Sequence, residues 1–380
     1  MSRVAVLVAR LSRYGGAEGS AWRLARELAA RGHAVSLVCA RAEDEPPPGV
    51  AVVALGRPIG PKVLKMLWFA FAAARHCRSA GYDLTVSLGK TVIHDLSRVS
   101  GGPLTIFWRL SARAWPEGLA RNLKMLRRRL SPANWLALAI ERRQFAPGRP
   151  LVAVSHAVRR WLVEAYPSLR EEDIPVVYNL PDLSRYRPPT PAERAAARER
   201  HGLAEGETAL VLAGTNFALK GLGPTIEALA LLPENCRLLV AGGRNPGRFG
   251  RLARRLGVSG RVSFLGRVSD MPGLYHAADA FVLPSFYDTC ANAVLEARAC
   301  GLPAVSSADN GSSRCLPPDW VVADPSDAPA LAAAIRSALA AGRDLPFAWP
   351  AELAFGLTPL VELAEALIAA RSCQPGGSVS

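Results

Sequence analysis

Within its first 40 residues the chain lays out a strand, a glycine-bearing loop, a helix and a second strand, and its second half restarts that alternation. Val4–Ala9 is a short, unbroken, valine-rich apolar run, as expected of a strand covered on both faces of a parallel sheet. A loop from Leu11 to Gly16 follows. Ala21, Leu24, Ala25, Leu28 and Ala29 then recur at helical spacing, with Gly32 where a C-terminal cap belongs. Val35–Cys39 is the next strand. A βαβ unit of this kind implies a parallel sheet, because two parallel strands need a crossover and a helix supplies it. Leu84–Leu88 and Leu151–Val154 read as later strands of the same sheet. The apolar stretch Val63–Ala74 is too short to cross a bilayer and carries Lys65, so it reads as a buried helix.

In the second half Ala209–Ala213 is a strand and Pro224–Leu232 a helix with proline in its first turn. Arg237–Ala241, Val262–Phe264, Ala280–Leu283 and Pro303–Ser306 are further strands. The seam falls in the proline-rich stretch Asn179–Pro191 (NLPDLSRYRPPTP). Two Rossmann-like domains follow, 1–180 and 181–348, with a cleft between them; ligands of such sheets bind beyond the carboxyl ends of the strands. Residues 349–373, helical in pattern from Glu352 to Arg371, are expected to pack back on the first domain, and 374–380 form a frayed tail.

Charge narrows the partners. With 46 basic against 32 acidic side chains the chain carries a formal +14, which calls for something anionic: phosphate esters, nucleic acid or an acidic membrane face. The seven cysteines are odd in number, scattered and without C-x-x-C spacing, which argues against a disulfide framework or structural zinc and for a reducing compartment. Arg10 and Arg13 stand where a signal peptide would be cleaved, so the expectation is a cytoplasmic chain.

Three constellations could carry chemistry. Gly15-Gly16-Ala17-Glu18 leads from strand to helix, where glycines allow close backbone approach and a helix N-terminus offers N–H groups to an anion. It is not G-x-G-x-x-G, and a tight turn without a ligand is the competing reading. In Gly214–Gly221 (GTNFALKG), Lys220 leaves a strand end and can set its ammonium on a diphosphate; a solvated lysine is the alternative. In Ser285–Pro303 a strand is followed by Asp288, a helix beginning near Cys290, and Glu296 two turns in. The N–H groups of Cys290, Ala291 and Asn292 suit a phosphate or sugar oxygen. Asp288 either caps the helix or reaches a sugar. Glu296 stands on an otherwise apolar helix, where an unpaired carboxylate is costly, and vicinal hydroxyls such as those of a ribose would satisfy it.

Between Arg98 and Arg143 ten basic side chains face two acidic ones, over half of the chain's excess charge. Arg109, Arg113, Lys124, Arg127, Arg128 and Arg129 are interleaved with Trp108, Trp115 and several leucines, a mixture that suits an anionic membrane surface. A solvated basic helix is the alternative. No nucleic-acid-binding module is present.

The segments GGAEGSAWRLARELAARGHAV, VAVSHAVRRWL, VVYNLPDLSRYRP, GTNFALKGLGPTIEAL, FLGRVSDMPGLYHAADAFVLPS and LEARACGLPAVSS together resemble the retaining glycosyltransferases of family 4. Within that family the lipopolysaccharide core glucosyltransferases are the most similar branch. The resemblance implies the GT-B fold, two facing Rossmann-like domains with a deep interdomain cleft. It implies that Gly15 and Gly16 approach the diphosphate of a nucleotide-sugar donor and that Lys220 clamps it. Many members pair an arginine with this lysine; here Leu219 stands at that place, so the clamp has one charge fewer or borrows Arg244 or Arg267. The family's E-x7-E motif falls on Asp288, toward the transferred sugar, and Glu296, on the donor ribose. Asp95, with His94 beside it, matches a loop aspartate near the reacting carbon, while His94 reads equally well as a buried structural histidine. The branch implies UDP-glucose as donor, a lipid-anchored phosphorylated saccharide as acceptor at the inner face of the cytoplasmic membrane, and no metal or other cofactor. GDP-mannose, UDP-N-acetylglucosamine or an ADP-heptose as donor, another lipid-linked acceptor, and a catalytically silent membrane adaptor are the competing expectations.

Overall fold

The computed structural model describes residues 1–12, 16–243, 246–343 and 348–372. Gly15, Arg244 and the tail 374–380 therefore lie outside the described residues. The chain divides into two compact units. One comprises Met1–Trp108, Glu117–Asn179 and the chain from Leu353 on; the other comprises Arg109–Pro116 and Leu180–Glu352.

The first unit is built on a six-stranded sheet of β1 (Arg3–Leu7), β2 (Ala34–Cys39), β3 (Ala51–Ala54), β4 (Leu84–Ser87), β5 (Leu96–Val99) and β6 (Leu151–Ala153). Its order is β3-β2-β1-β4-β5-β6 and its pairings are parallel. Val4 lies opposite Val35 on one side and Leu84 on the other, so β1 is central and is buried from Val4 to Leu7. Strand order reverses at β1, which makes the carboxyl ends of β1 and β4 a topological switch point. Sequence pattern did not reveal β3 or β5. In β5 the apolar run is broken by Arg98, which is only 2% exposed and donates to the Val177 carbonyl (3.2 Å) and to Asn179 Oδ1 (2.9 Å).

Helices α1 (Ala17–Ala30), α2 (Lys62–Ala80), α3 (Leu104–Ala112), α4 (Leu119–Leu130), α5 (Pro132–Gln144) and α6 (His156–Ala165) follow in this half of the chain. The face of α1 that sequence spacing marked is the one it buries, and Gly32 takes a left-handed φ of 86° just past its end. Burying such leucines contributes about 1.5–3 kcal/mol each. For α2 the expectation of a buried helix is corrected. Phe69, Ala70, Ala73 and Cys77 are buried, but Leu64, Trp68 and Phe71 are exposed along the opposite face. An all-round apolar sequence cannot show which face meets the sheet.

The second unit repeats the plan with β7 (Thr208–Ala213), β8 (Cys236–Ala241), β9 (Val262–Gly266), β10 (Ala280–Leu283), β11 (Ala304–Ser307) and β12 (Val321–Val322), in the order β9-β8-β7-β10-β11-β12. Its helices are α7 (Pro191–Arg200), α8 (Leu222–Leu229), α9 (Gly247–Arg255), α10 (Met271–Ala277), α11 (Asn292–Ala299) and α12 (Ala328–Ala340). The last helix, α13 (Thr358–Ser372), places Leu360, Val361 and Ala364 in the core of the first unit. It starts six residues later than the pattern suggested. The backbone before it turns and then makes a single parallel bridge at Phe355 instead, with Tyr178 N–H donating to the Ala354 carbonyl (2.8 Å) and Gly356 N–H to the Tyr178 carbonyl (3.0 Å).

Candidate active site

In the second unit the polypeptide turns tightly where β7 ends. Lys220 N–H closes the turn on the Asn216 carbonyl at 3.0 Å. Gly221, with φ of 75°, brings the backbone so close to the Pro284 carbonyl that any Cβ would collide with it. A Cβ at Gly214 would fall 2.8 Å from Lys220 Cγ, so the stem of the lysine lies across that glycine. This aims the Lys220 ammonium at the Asp288 carboxylate, and the two form an ion pair with side chains 21% and 12% exposed. Lys220 and Asp288, assigned separately from sequence, are thus one feature. Asp288 does not cap a helix. Its own N–H donates to the Asp309 carbonyl (3.0 Å), and its carbonyl accepts from Gly311 N–H (2.8 Å).

α11 begins at Asn292, two residues after the expected start, and no side chain caps it. Cys290 and Ala291 are buried beneath its first turn. A layer of buried polar side chains, undetected in the sequence, braces this corner. Asn310 Oδ1 accepts from Ala291 N–H (3.4 Å) and Ser312 N–H (3.1 Å), and Asn310 Nδ2 donates to Ser306 Oγ (2.9 Å). Satisfied networks of this kind hold a loop in one arrangement.

Glu296 is half-buried in the middle of α11. Tyr275 Oη donates to its Oε2 at 3.3 Å, and the Tyr186 hydroxyl also bonds the carboxylate. Burial, reinforced by the negative charge of Glu296, raises the Tyr186 phenol to about 12 and the Tyr275 phenol well above its ordinary value. Both therefore remain donors at neutral pH, and they fix the orientation of the carboxylate. Tyr186 lies in the seam stretch and Tyr275 in α10, about 90 residues apart in sequence, which is why local pattern missed them.

In the first unit Gly16 precedes α1 with ordinary right-handed backbone angles and open space where a Cβ would stand. Asp95 sits beside Thr85, just ahead of β5 and near the amino end of β4. Its Oδ2 accepts from Thr85 N–H (2.6 Å) and Oγ1 (2.7 Å), and its Oδ1 from Arg371 (2.6 Å). That places the carboxylate at the amino edge of the sheet, where it ties α13 to β4. His94 is 6% exposed, and burial together with the nearby Arg149 lowers it to about 4, so it is neutral at pH 7.

The basic segment splits. On α4, Leu119, Leu123, Leu126 and Leu130 are exposed at 86%, 54%, 50% and 59%, a continuous apolar stripe at i, i+4, i+7 and i+11. Arg127 and Arg129 are exposed beside it, Lys124 is half-buried, and the Arg128 guanidinium lies 5.3 Å from the Phe107 ring. Trp108 is half-buried and Arg109 exposed. Arg113 and Trp115 do not belong to this surface. Arg113 bonds Asp309 (2.6 Å) and Asp324 (3.0 Å), and Trp115 packs on the core of the second unit with the Arg248 guanidinium 4.8 Å from its ring. The two aspartates draw this stretch of chain in, a pairing across some 200 residues that spacing cannot show. At the carboxyl edge of the first sheet lies a cavity of about 490 Å³, lined in part by Arg57, Lys62 and Lys65, which the sequence reading had passed over.

Comparisons with known proteins agree with this architecture. The model of Glycosyltransferase Family 4 matches residues 14–185, and that of Glycosyl transferases group 1 matches residues 207–341. The lipopolysaccharide glucosyltransferase WaaG of Escherichia coli (strain K12) is 33% identical over 162 residues, 41% of this chain and 43% of WaaG. The D-inositol 3-phosphate glycosyltransferase of Mycobacterium sp. (strain KMS) is 38% identical over 146 residues, 36% of this chain and 32% of that protein. The aligned stretches thus span less than half of either relative. The crystal structure of WaaG superposes over 98% of this chain and 96% of its own with a TM-score of 0.72 at 24% identity. Anabaena HepE in complex with UDP-glucose superposes over 98% and 100% with a TM-score of 0.61 at 16% identity. The chain carries a Glycosyltransferase Family 4 domain over residues 14–185 and a Glycosyl transferases group 1 domain over residues 207–341, and it has the GT-B fold.

Proposed function

We propose that the chain is a retaining hexosyltransferase that moves glucose from UDP-glucose to a lipid-anchored lipopolysaccharide core saccharide. The observation that carries this reading is the corner where Lys220, Asp288 and Glu296 are held by the loops after β7 and β10 and by α11 of the second unit. A nucleotide-diphosphate sugar presents three groups in a row: a ribose with vicinal hydroxyls, a diphosphate and the transferred sugar. Glu296, steadied by Tyr186 and Tyr275, would accept from the ribose hydroxyls. Lys220 would move from Asp288 to the diphosphate, and the released Asp288 carboxylate would accept from hydroxyls of the sugar. Lys220 and the uncapped N-terminus of α11 would stabilise the charge that develops as the anomeric carbon–phosphate oxygen bond breaks. In this reading the acceptor hydroxyl attacks the same face of the sugar. Its proton passes to the departing phosphate oxygen, so neither a protein nucleophile nor a metal is required.

The leucine stripe of α4, flanked by Arg127 and Arg129, supports peripheral attachment to an anionic membrane, which for a nucleotide-sugar enzyme is the inner face of the cytoplasmic membrane. Among the described residues no helix is long and apolar enough to cross a bilayer. The test is incorporation of label from UDP-glucose, GDP-mannose, UDP-N-acetylglucosamine and ADP-heptose into membranes carrying truncated core saccharide. Transfer from UDP-glucose with the α-configuration kept supports the reading; transfer from another donor alone replaces the sugar assignment. No transfer from any donor, with the protein still bound to the membranes, favours a catalytically silent adaptor.

A further inference from the structure

Arg113 lies just past the end of α3, in the stretch Arg109–Pro116 that the second unit includes although the chain before and after it belongs to the first. Two contacts keep the stretch there. The Trp115 ring packs on the core of the second unit, with the Arg248 guanidinium 4.8 Å from its centre and 4.5 Å from that of Phe249. The Arg113 guanidinium spans two carboxylates, donating from Nη1 to Asp309 Oδ2 (2.6 Å) and from Nη2 to Asp324 Oδ1 (3.0 Å). The Asp309 side chain is only 16% exposed, so its bond to the guanidinium is charge-assisted and partly shielded from water.

Asp309 is also the residue on which the backbone of Asp288 rests. Its carbonyl accepts from Asp288 N–H (3.0 Å), and Gly311 N–H donates to the Asp288 carbonyl (2.8 Å). These two bonds make an isolated parallel bridge between Asp288 and Asn310. Asp288 belongs to no strand or helix, so its carboxylate is aimed by loop contacts, this bridge among them. A side chain that meets a ligand is only as well placed as the groups behind it. Glu296, by contrast, stands on α11 and is oriented by Tyr186 and Tyr275.

We infer that Arg113 is a positioning residue: by holding Asp309 it fixes the backbone of Asp288, and so the place where that carboxylate meets the transferred sugar. The inference rests on the proposed reading for what Asp288 does, and on the geometry alone for how Asp288 is held. It sets a selective consequence. Loosening the loop should weaken the hold on the sugar and leave the nucleotide, which Glu296 and Lys220 meet, bound as before.

The experiment compares the full chain as parent, Arg113→Met, Arg113→Lys and Asp324→Asn, each read in two ways. Amide hydrogen exchange needs no ligand and reports the loop. In Arg113→Met the Asp288 and Gly311 amides should exchange about tenfold faster or more, while the amides of β7 keep the parent's rates and verify that the unit is folded. Titration separates sugar from nucleotide. Arg113→Met should weaken UDP-glucose about fivefold or more and leave UDP unchanged. Arg113→Lys, which keeps a cation for Asp309, should recover part of both effects. Asp324→Asn alters the other partner of the guanidinium and should stay within about twofold of the parent in both. Parent-like exchange at Asp288 and Gly311 in Arg113→Met overturns the inference. So does faster exchange with UDP-glucose bound as in the parent, because the bridge would then have no bearing on the sugar. An equal loss of UDP and UDP-glucose, or faster exchange throughout β7, also overturns it and makes Arg113 a general support of the second unit. If the parent binds neither ligand, the donor reading fails and the sugar step with it, while the exchange result still decides whether Arg113 holds the loop.

Discussion

Replacing Lys220 by methionine removes a cation while keeping most of its stem volume, and it leaves Asp288 facing an apolar side chain. Breaking a fully buried pair on one side costs 3–5 kcal/mol as a rule. Here the side chains are 21% and 12% exposed, so water recovers part of the loss and about 2 kcal/mol is expected. In a unit of this size that corresponds to a fall in melting temperature of roughly 4–8 °C. Asp288→Asn in the same chain removes the stranded charge and should restore most of the stability. It should not restore nucleotide binding if Lys220 is the cation for the diphosphate, as proposed, because that cation is still missing. Loss of one charge-assisted contact of about 2 kcal/mol weakens UDP about 30-fold. The assay is a four-member cycle of parent, two single variants and the double variant, each followed by thermal denaturation and by UDP titration. A methionine variant as stable as the parent, or a double variant that regains UDP affinity, would refute the reasoning.

Other consequences can be checked separately. Tyr275→Phe removes a donor to Glu296 and should weaken UDP by about fivefold, about 1 kcal/mol, while leaving inorganic pyrophosphate binding unchanged, since pyrophosphate has no ribose. His94 is held at about 4 against an unfolded value of 6.5, so the unfolded chain binds the proton more readily. Stability should therefore fall as pH drops from 6.5 toward 4, by about 3 kcal/mol in all, and denaturation of His94→Gln across that range should show a flatter slope. Leu123→Ser/Leu126→Ser should weaken sedimentation with phosphatidylglycerol vesicles by roughly tenfold or more, whereas Arg113→Ala should leave it unchanged and lower the melting temperature instead.

Elements made of continuous valine- and leucine-rich runs were legible in the sequence because a strand buried on both faces leaves no other pattern. Two strands of the first sheet escaped for different reasons: β3 (Ala51–Ala54) is a four-residue, partly exposed stretch too short to stand out, and β5 carries a polar residue whose partners are distant. β5 contains Arg98, acceptable in a core only because the Val177 carbonyl and Asn179 receive it. The candidate site divides in the same way. Lys220, Asp288 and Glu296 stand out through loop composition and helix spacing. Their pairing with one another and with Tyr186 and Tyr275 depends on the packing of β7, α10 and α11, which no local signal encodes. Arg113 looked like part of a basic surface because its two aspartates lie some 200 residues away. Arg57, Lys62 and Lys65 looked like ordinary surface charge until the fold set them around one cavity.

The central claim, that the second unit holds a nucleotide-sugar through Glu296 and Lys220, is tested most directly by calorimetric titration of the parent and of Glu296→Ala with UDP, GDP and ADP. The account predicts that one diphosphate, UDP first among them, binds the parent and is weakened at least about tenfold in the variant. If no diphosphate binds, or if the variant binds as tightly as the parent, Glu296 does not hold a ribose and the donor site described here is wrong.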